Sequence, residues 1–205
     1  MINLFKRIEK LSPLEGYDKW AKTYHSEDNP VKRLSDEFIK SELPDLKGKS
    51  VLDAGCGTGK LCEVAVARGA SLVKGIDLSP KMIEEASKNC SEAKFECADL
   101  SKVEIEKFDV IICGLVLGHI EDLDPVMNRL LSSGTHIILT DFHPYQTMMK
   151  ARRTFKSGGK TFEVSHSLHT LDEYFALLKG FRIINFKEPQ YNSHPVIFGI
   201  HALAS

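Results

Sequence analysis

Apolar residues change rhythm several times along this chain, and each change marks an element. Val51 and Leu52 form a short apolar run, the mark of a buried strand. After Gly59 the apolar positions Leu61, Val64, Ala65 and Ala67 recur at helical spacing until Gly69 stops them. Leu72 to Ile76 reads as a second strand, Lys94 to Ala98 as a third, Val110 to Cys113 as a fourth and Thr135 to Leu139 as a fifth. Helices separate them. One opens at Ser79, a good N-cap, with Pro80 in the first turn. Another covers Asp122 to Leu131, and Thr170 caps a third, with Glu173 completing a capping box. Arg182 to Lys187 and Val196 to Ala202 close the chain as an antiparallel pair. Strands alternating with helices predict an α/β domain built on a mostly parallel sheet.

The two ends of this pattern differ from its middle. Ile2, Phe5, Ile8 and Leu11 fall on one helix face, and Pro13 and Gly16 then break it. Tyr17, Trp20 and Tyr24 follow at spacings of three and four, on one side of another helix. This aromatic stripe either packs a cap onto the domain or closes over a ligand. A further helix runs from Val31 to Glu42, so residues 1–45 are expected to form a helical cap. From Gln146 to Ser165 the apolar pattern weakens and Gly158-Gly159 interrupts it. An insert after the fifth strand, spanning 142–169, is expected to serve as a substrate lid.

Composition narrows the function. A chain of 205 residues, 42% hydrophobic and 27% charged, supports one globular domain with a real core. The net charge of −1 and the lack of a basic block argue against a nucleic-acid groove. Lys150, Arg152 and Arg153 read as a solvated helix face. The five cysteines form no C-x-x-C pair, which argues against a zinc site or a disulfide framework. Cys97 and Cys113, in apolar runs, are expected in the core. No signal peptide or 18-residue apolar span is evident, so a cytoplasmic location and no membrane span are expected.

Chemistry concentrates at the strand ends. Asp53 ends the first strand, and Gly55, Gly57 and Gly59 follow at alternate positions before a helix begins. Asp77 ends the second strand, 18 residues past Gly59, close to the ~20 expected for a carboxylate that binds ribose hydroxyls. A carboxylate accepts two hydroxyl hydrogen bonds at once and so selects a free diol. The glycines do not follow the dinucleotide spacing G-x-G-x-x-G. A carboxylate at Asp53 would repel a pyrophosphate but suits a cationic ligand.

The run Asp53-x-Gly55-x-Gly57-x-Gly59 resembles motif I of the class I S-adenosylmethionine (SAM) methyltransferases. The likeness extends to Tyr17-Asp-x-x-Ala-x-x-Tyr24, to Phe108-Asp-Val-Ile…His119 and, more loosely, to His169-x-Leu-x-x-Tyr…Gly180-Phe…Glu188-Pro189 of the small-molecule type. It implies a Rossmann-like, doubly wound seven-stranded sheet with an antiparallel last strand. It also implies SAM as cofactor, S-adenosylhomocysteine as product, and methyl transfer to an O or N atom of a small-molecule acceptor. The resemblance places Tyr17 at the methionine end and Tyr24 facing cofactor or substrate, with Asp53 and the turn glycines Gly55, Gly57 and Gly59 against the cofactor, Asp77 at the ribose, and Leu78, Met82, Asp99 and Leu100 around the adenine. Gly114 and Leu115 would flank the sulfonium.

A base is needed only where the acceptor must lose a proton. His143 and His169 are the expected catalytic groups, with His119, Asp141 and His166 lining the acceptor site. Each histidine has an alternative role in capping or bonding backbone. His166-x-x-His169 lacks the further ligands of a metal site. Three other readings stay open: a carrier-protein-linked acyl O-methyltransferase, a non-catalytic SAM-binding protein, and a Rossmann-type oxidoreductase. The oligomeric state is left open between monomer and dimer.

Overall fold

The computed structural model describes residues 8–205. Its first element is a short strand, β1 (Glu9–Leu11), followed by helices α1 (Pro13–Tyr24) and α2 (Pro30–Glu42). The helix read through Ile8 and Leu11 is therefore not formed at those two residues, and Ile2 and Phe5 lie outside the described residues. Pro13 and Gly16 do not break a helix but sit inside α1. Pro13 occupies the first turn behind the Ser12 capping box, where its missing N–H costs nothing. Gly16 lets α1 lie against Val164, whose side chain a Cβ would meet at 2.8 Å.

The central layer follows as β2 (Ser50–Ala54), α3 (Lys60–Ala67), β3 (Leu72–Asp77), α4 (Pro80–Asn89), β4 (Lys94–Cys97) and β5 (Phe108–Gly114). A short 3₁₀ turn at Leu117–His119 leads to α5 (Leu123–Ser133) and β6 (Gly134–Phe142). Ser79 and Thr170 cap their helices as the sequence predicts. Beyond β6 lie α6 (Pro144–Met148), a hairpin of β7 (Thr154–Ser157) and β8 (Lys160–Val164), and α7 (Leu171–Leu177). The chain ends with β9 (Phe181–Lys187), a two-residue pair β10 (Gln190–Tyr191) and β11 (His194–Pro195), and β12 (Ile197–Ala204).

The main sheet has seven strands in the order β4-β3-β2-β5-β6-β12-β9, and β12 runs antiparallel to both of its neighbours. Helices cover both faces, with separate apolar clusters on the two sides. Strand order reverses between β2 and β5, which opens a crevice beyond their carboxyl ends.

A second sheet, β1-β8-β7, lies over that crevice. Gly158 and Gly159, both at positive φ, form the two-residue turn of its hairpin, the geometry that matches the twist of the flanking strands. β1 adds in parallel, pairing Leu11 with Val164. Trp20 stacks on Phe155 at 4.7 Å, and Leu11, Trp20, Phe155, Phe162 and Val164 form a third apolar cluster. The insert is thus an ordered hairpin joined to α1. Cys113 is buried, but Cys97 is exposed at the end of edge strand β4, contrary to its expected place in the core.

Candidate active site

Two strand-end carboxylates define the crevice. Asp77, at the end of β3, accepts the Gly57 N–H through Oδ2 at 2.9 Å and the Ser79 N–H through Oδ1 at 2.8 Å. The two N–H groups fix the carboxylate in place and leave each oxygen with unused acceptor capacity. Burial, opposed by these hydrogen bonds, pushes the Asp77 carboxyl above its ordinary value. Gly55 has φ 81°, and a Cβ there would overlap Val116, so the turn takes this path only with glycine.

Asp53 is 2% exposed at the end of β2. Cys62 donates its S–H to Oδ2 at 3.6 Å, and among the described residues no cationic side chain bonds the Asp53 carboxylate. Burial pushes its carboxyl up to about 7, and the neighbouring Asp77 and Asp36 add to the rise. A cation arriving beside it would reverse that shift.

A cavity of about 350 Å³ runs along the strand ends. That volume lies within the ~300–1,000 Å³ typical of small-molecule sites. Gly55, Gly57 and Asp77 form one wall. Leu78, Asp99, Leu100 and Ser101 form a second, and Gly114, Leu115, Val116 and His119 a third. Tyr17 and Tyr24 of α1 cover it. Burial raises the Asp99 carboxyl, but hydrogen bonds from Ser101 and the Lys102 ammonium hold it below its ordinary value. A smaller cavity of about 50 Å³ continues past the glycine turn to Asp53, Asp36, Lys32 and Lys60. Tyr24, Gly55, Gly57, Gly114 and Leu115 line both.

Eleven of the predicted cofactor residues thus line these connected cavities: Tyr17, Tyr24, Asp53, Gly55, Gly57, Asp77, Leu78, Asp99, Leu100, Gly114 and Leu115. Met82 and Gly59 do not. Met82 is fully buried beneath the first turn of α4, and Gly59 is the buried N-cap of α3, packed on Ala86.

The histidines are distributed differently from the expectation. His143 Nδ1 caps α6 by accepting the Tyr145 N–H at 3.1 Å, and its Nε2 pairs with Glu188 at 2.8 Å. His169 donates from Nε2 to the Ile120 carbonyl at 2.7 Å, with Glu173 3.8 Å from Nδ1. Neither lines a cavity described above; in this structure both side chains bond backbone and neighbouring carboxylates. His166 is half-buried, lines none of these cavities, and has an Nδ1 without a partner.

Asp141 also faces away. β6 continues through Phe142 because it pairs with β12, Asp141 with Phe198 and Phe142 with Ile197. The strand therefore does not end at Leu139, and the Asp141 side chain stays inside the layer. It accepts the Gly118 and Phe142 N–H groups and faces Arg153 Nη2 at 3.4 Å.

Only His119 among the four candidate histidines reaches the large cavity. Its Nδ1–H donates to the Ser165 carbonyl at 2.8 Å, so Nε2 carries the lone pair and accepts the Tyr17 hydroxyl at 2.8 Å. Burial, helped by the Arg153 guanidinium, lowers His119 to about 4. Burial likewise pushes the Tyr17 phenol up.

Arg153, read from sequence as solvated, is 9% exposed and lies against the Phe142 ring at 4.1 Å. Nothing in its sequence context marks it, because the burial comes from the hairpin folding back over α1.

Comparison with known proteins agrees with this geometry. A family model described as a methyltransferase domain matches residues 45–179. An uncharacterized protein of Haemophilus influenzae is 32% identical over 169 residues, 75% of this chain and 64% of that protein. A ubiquinone biosynthesis O-methyltransferase of Neisseria meningitidis is 39% identical over 119 residues, 51% of this chain and 48% of that protein. The chain thus spans between 48% and 64% of the length of these two relatives. The crystal structure of a Listeria monocytogenes protein assigned as an S-adenosylmethionine dependent methyltransferase superposes with TM-score 0.72 at 25% identity, over 85% of this chain and 99% of that one. With the motif residues at their strand ends and the domain matched over most of its length, the chain belongs to the class I S-adenosylmethionine-dependent methyltransferases.

Proposed function

We propose that this protein transfers the methyl group of SAM to an oxygen atom of a small-molecule acceptor. The observation that carries the reading is the pair of connected cavities strung between Asp77 and Asp53. The residues fit the cofactor. Asp77 offers two oriented oxygens to a ribose diol, and Leu78, Asp99 and Leu100 form a flat, largely apolar slot with an acceptor at its edge. Asp53 is a buried acid without a cationic partner, suited to a ligand with an ammonium and a sulfonium.

SAM, when bound, supplies a methyl group already activated for displacement. The chain's work is then positioning and exclusion of water, which together can account for about 7–11 kcal/mol of the barrier. Tyr17 and Tyr24 close the cavity from α1, and the Tyr17–His119 hydrogen bond ties that helix to the loop after β5.

A proton leaving the acceptor could pass to His119 Nε2 through the Tyr17 hydroxyl. With His119 near 4, holding that proton at neutral pH is uphill by roughly three pH units, about 4 kcal/mol. The site therefore favours an acceptor whose oxygen is acidic or already anionic. Similarity to an O-methyltransferase over 51% of the chain supports oxygen as the methylated atom. The test is incubation with methyl-labelled SAM and a panel of phenols, carboxylic acids and amines. Label appearing only on amine nitrogen would refute the reading.

A further inference from the structure

A third cavity, of about 170 Å³, lies on the other side of Tyr17 and Tyr24. Tyr24 and Leu115 line all three cavities, so the third opens where the first two meet. On the reading above, that junction is where the adenosine and methionine ends of the cofactor join. We infer that the third cavity is the acceptor pocket, and that it selects a carboxylic acid about one aromatic ring in size.

Charge is the first reason. Lys32, Arg152 and Arg153 line this cavity, and no Asp or Glu does. The contrast is with the cofactor cavities, which present Asp77, Asp99, Asp53 and Asp36. A cationic acceptor here would meet three basic side chains as well as the sulfonium. An acid meets opposite charge from every side.

The state of Arg153 is the second reason. Its side chain is 7% exposed, yet its donors are poorly used. Nη1 and Nη2 make only long contacts, 3.4 Å each, to His119 Nε2 and Asp141 Oδ1. Nε has no acceptor at all. Asp141 meets the guanidinium only through Nη2, at 3.4 Å, and its two oxygens also accept the Gly118 and Phe142 N–H groups, so Nε and most of the Nη1 and Nη2 donor capacity are left over. A guanidinium offers five donors in a planar fork that matches a carboxylate. The guanidinium carbon lies over the Phe142 ring, 4.1 Å from its centroid. A buried guanidinium with this much unused capacity is costly unless an anion completes it.

Lys32 brings a second partly desolvated cation to this cavity, with Glu27 and Asp36 favouring its charged form. Its ammonium sits over the Tyr24 ring at 3.7 Å and donates to the Tyr24 carbonyl. Burial lowers it to about 8. Arg152, 60% exposed and 3.6 Å from Glu163, stands at the mouth.

Size and shape supply the third reason. A cavity of ~150 Å³ holds a benzene ring, so 170 Å³ accommodates one ring with a small polar group. Tyr17, Trp20, Tyr24 and Phe142 provide flat walls for such a ring.

The experiment titrates wild-type protein saturated with S-adenosylhomocysteine with benzoate, with benzamide as neutral isostere and with benzylamine as cation. Binding is followed by calorimetry or ligand-observed NMR. Benzoate is expected to bind at least ~10-fold more tightly than benzamide, and benzylamine not at all. Arg153→Gln should weaken benzoate at least ~10-fold. Arg152→Gln, at an exposed site that tolerates change, should weaken benzoate about 2-fold and leave benzamide unaltered. Equal binding of benzoate and benzamide by the wild type, or no saturable benzoate binding, would overturn the inference. If S-adenosylhomocysteine still binds in that case, the cofactor reading survives. Failure of S-adenosylhomocysteine itself to bind would remove both.

Discussion

The two sides of the Tyr17–Tyr24 wall are built on opposite principles. On the cofactor side, each functional group sits within a few residues of a parallel strand end: Asp53 on β2, Asp77 on β3, Asp99 after β4, Gly114 on β5. Its chemistry is carboxylates and open backbone. On the far side the groups come from the cap, from β6 and from the insert: Lys32, Phe142, Arg152 and Arg153. Its chemistry is cations and aromatic rings. The comparison teaches how one scaffold separates a fixed task from a variable one. Strand ends in a twisted parallel sheet are rigid and hold a common cofactor. The hairpin is held on α1 by Trp20 on Phe155 and by three β1–β8 pairs, contacts that can be rebuilt without touching the sheet, whereas α2 packs on the sheet itself through Phe38, Ile39 and Ser35.

The sharpest way to break the comparison is Asp77→Ala. It removes two charge-assisted hydrogen bonds to the ligand, each worth about 1.5–3 kcal/mol, so affinity for S-adenosylhomocysteine should fall on the order of 10²–10⁴-fold by calorimetry. Unchanged affinity would sink the assignment of the first cavity.

Gly55→Ala should be next. It forces a side chain to positive φ and into Val116, and thermal or denaturant unfolding should show a loss of about 2–4 kcal/mol.

Asp53 offers a pH test. In the free protein its carboxyl titrates near 7, and a bound cation would favour the ionised form. Binding then releases a proton below pH 7 and none above it, so SAM affinity should rise with pH and level off above about 7. Between pH 6 and 7 the gain should be up to about fivefold. Asp53→Asn should flatten that profile; a wild-type profile already flat would show that no cation sits beside this acid.

The smallest effects are expected at the histidines outside the cavities. His143→Ala removes the cap of α6 and should cost about 1 kcal/mol of stability. His169→Ala should cost a similar amount through the lost bond to Ile120. Turnover should stay within about 3-fold for both, since neither reaches a cavity; a 100-fold loss in either would restore it as a catalytic group.

The contrast between the two sides also explains what could be read in advance. The strand-turn-helix at Val51 to Ala67, the second acid and the capped helices were legible because their signals are local. A glycine turn, an N-cap and an apolar run depend on neighbours a few residues away. The histidine roles were not legible for a specific reason. β6 reads as ending at Leu139, but its pairing with β12 carries it to Phe142 and turns Asp141 inward. Arg153 looked solvated because nothing nearby in sequence buries it; the β7–β8 hairpin and α1 do so in space.

What the chain alone determined was therefore the α/β order, the glycine turn and the carboxylates that frame a SAM site. These rest on backbone geometry and short-range hydrogen bonds, which composition and spacing encode. Only the tertiary structure decided which basic and aromatic side chains meet across the cap, and which histidine touches the crevice. Those meetings depend on the pairing of β1 with β8 and of β6 with β12, contacts more than 50 residues apart whose partners no local pattern specifies.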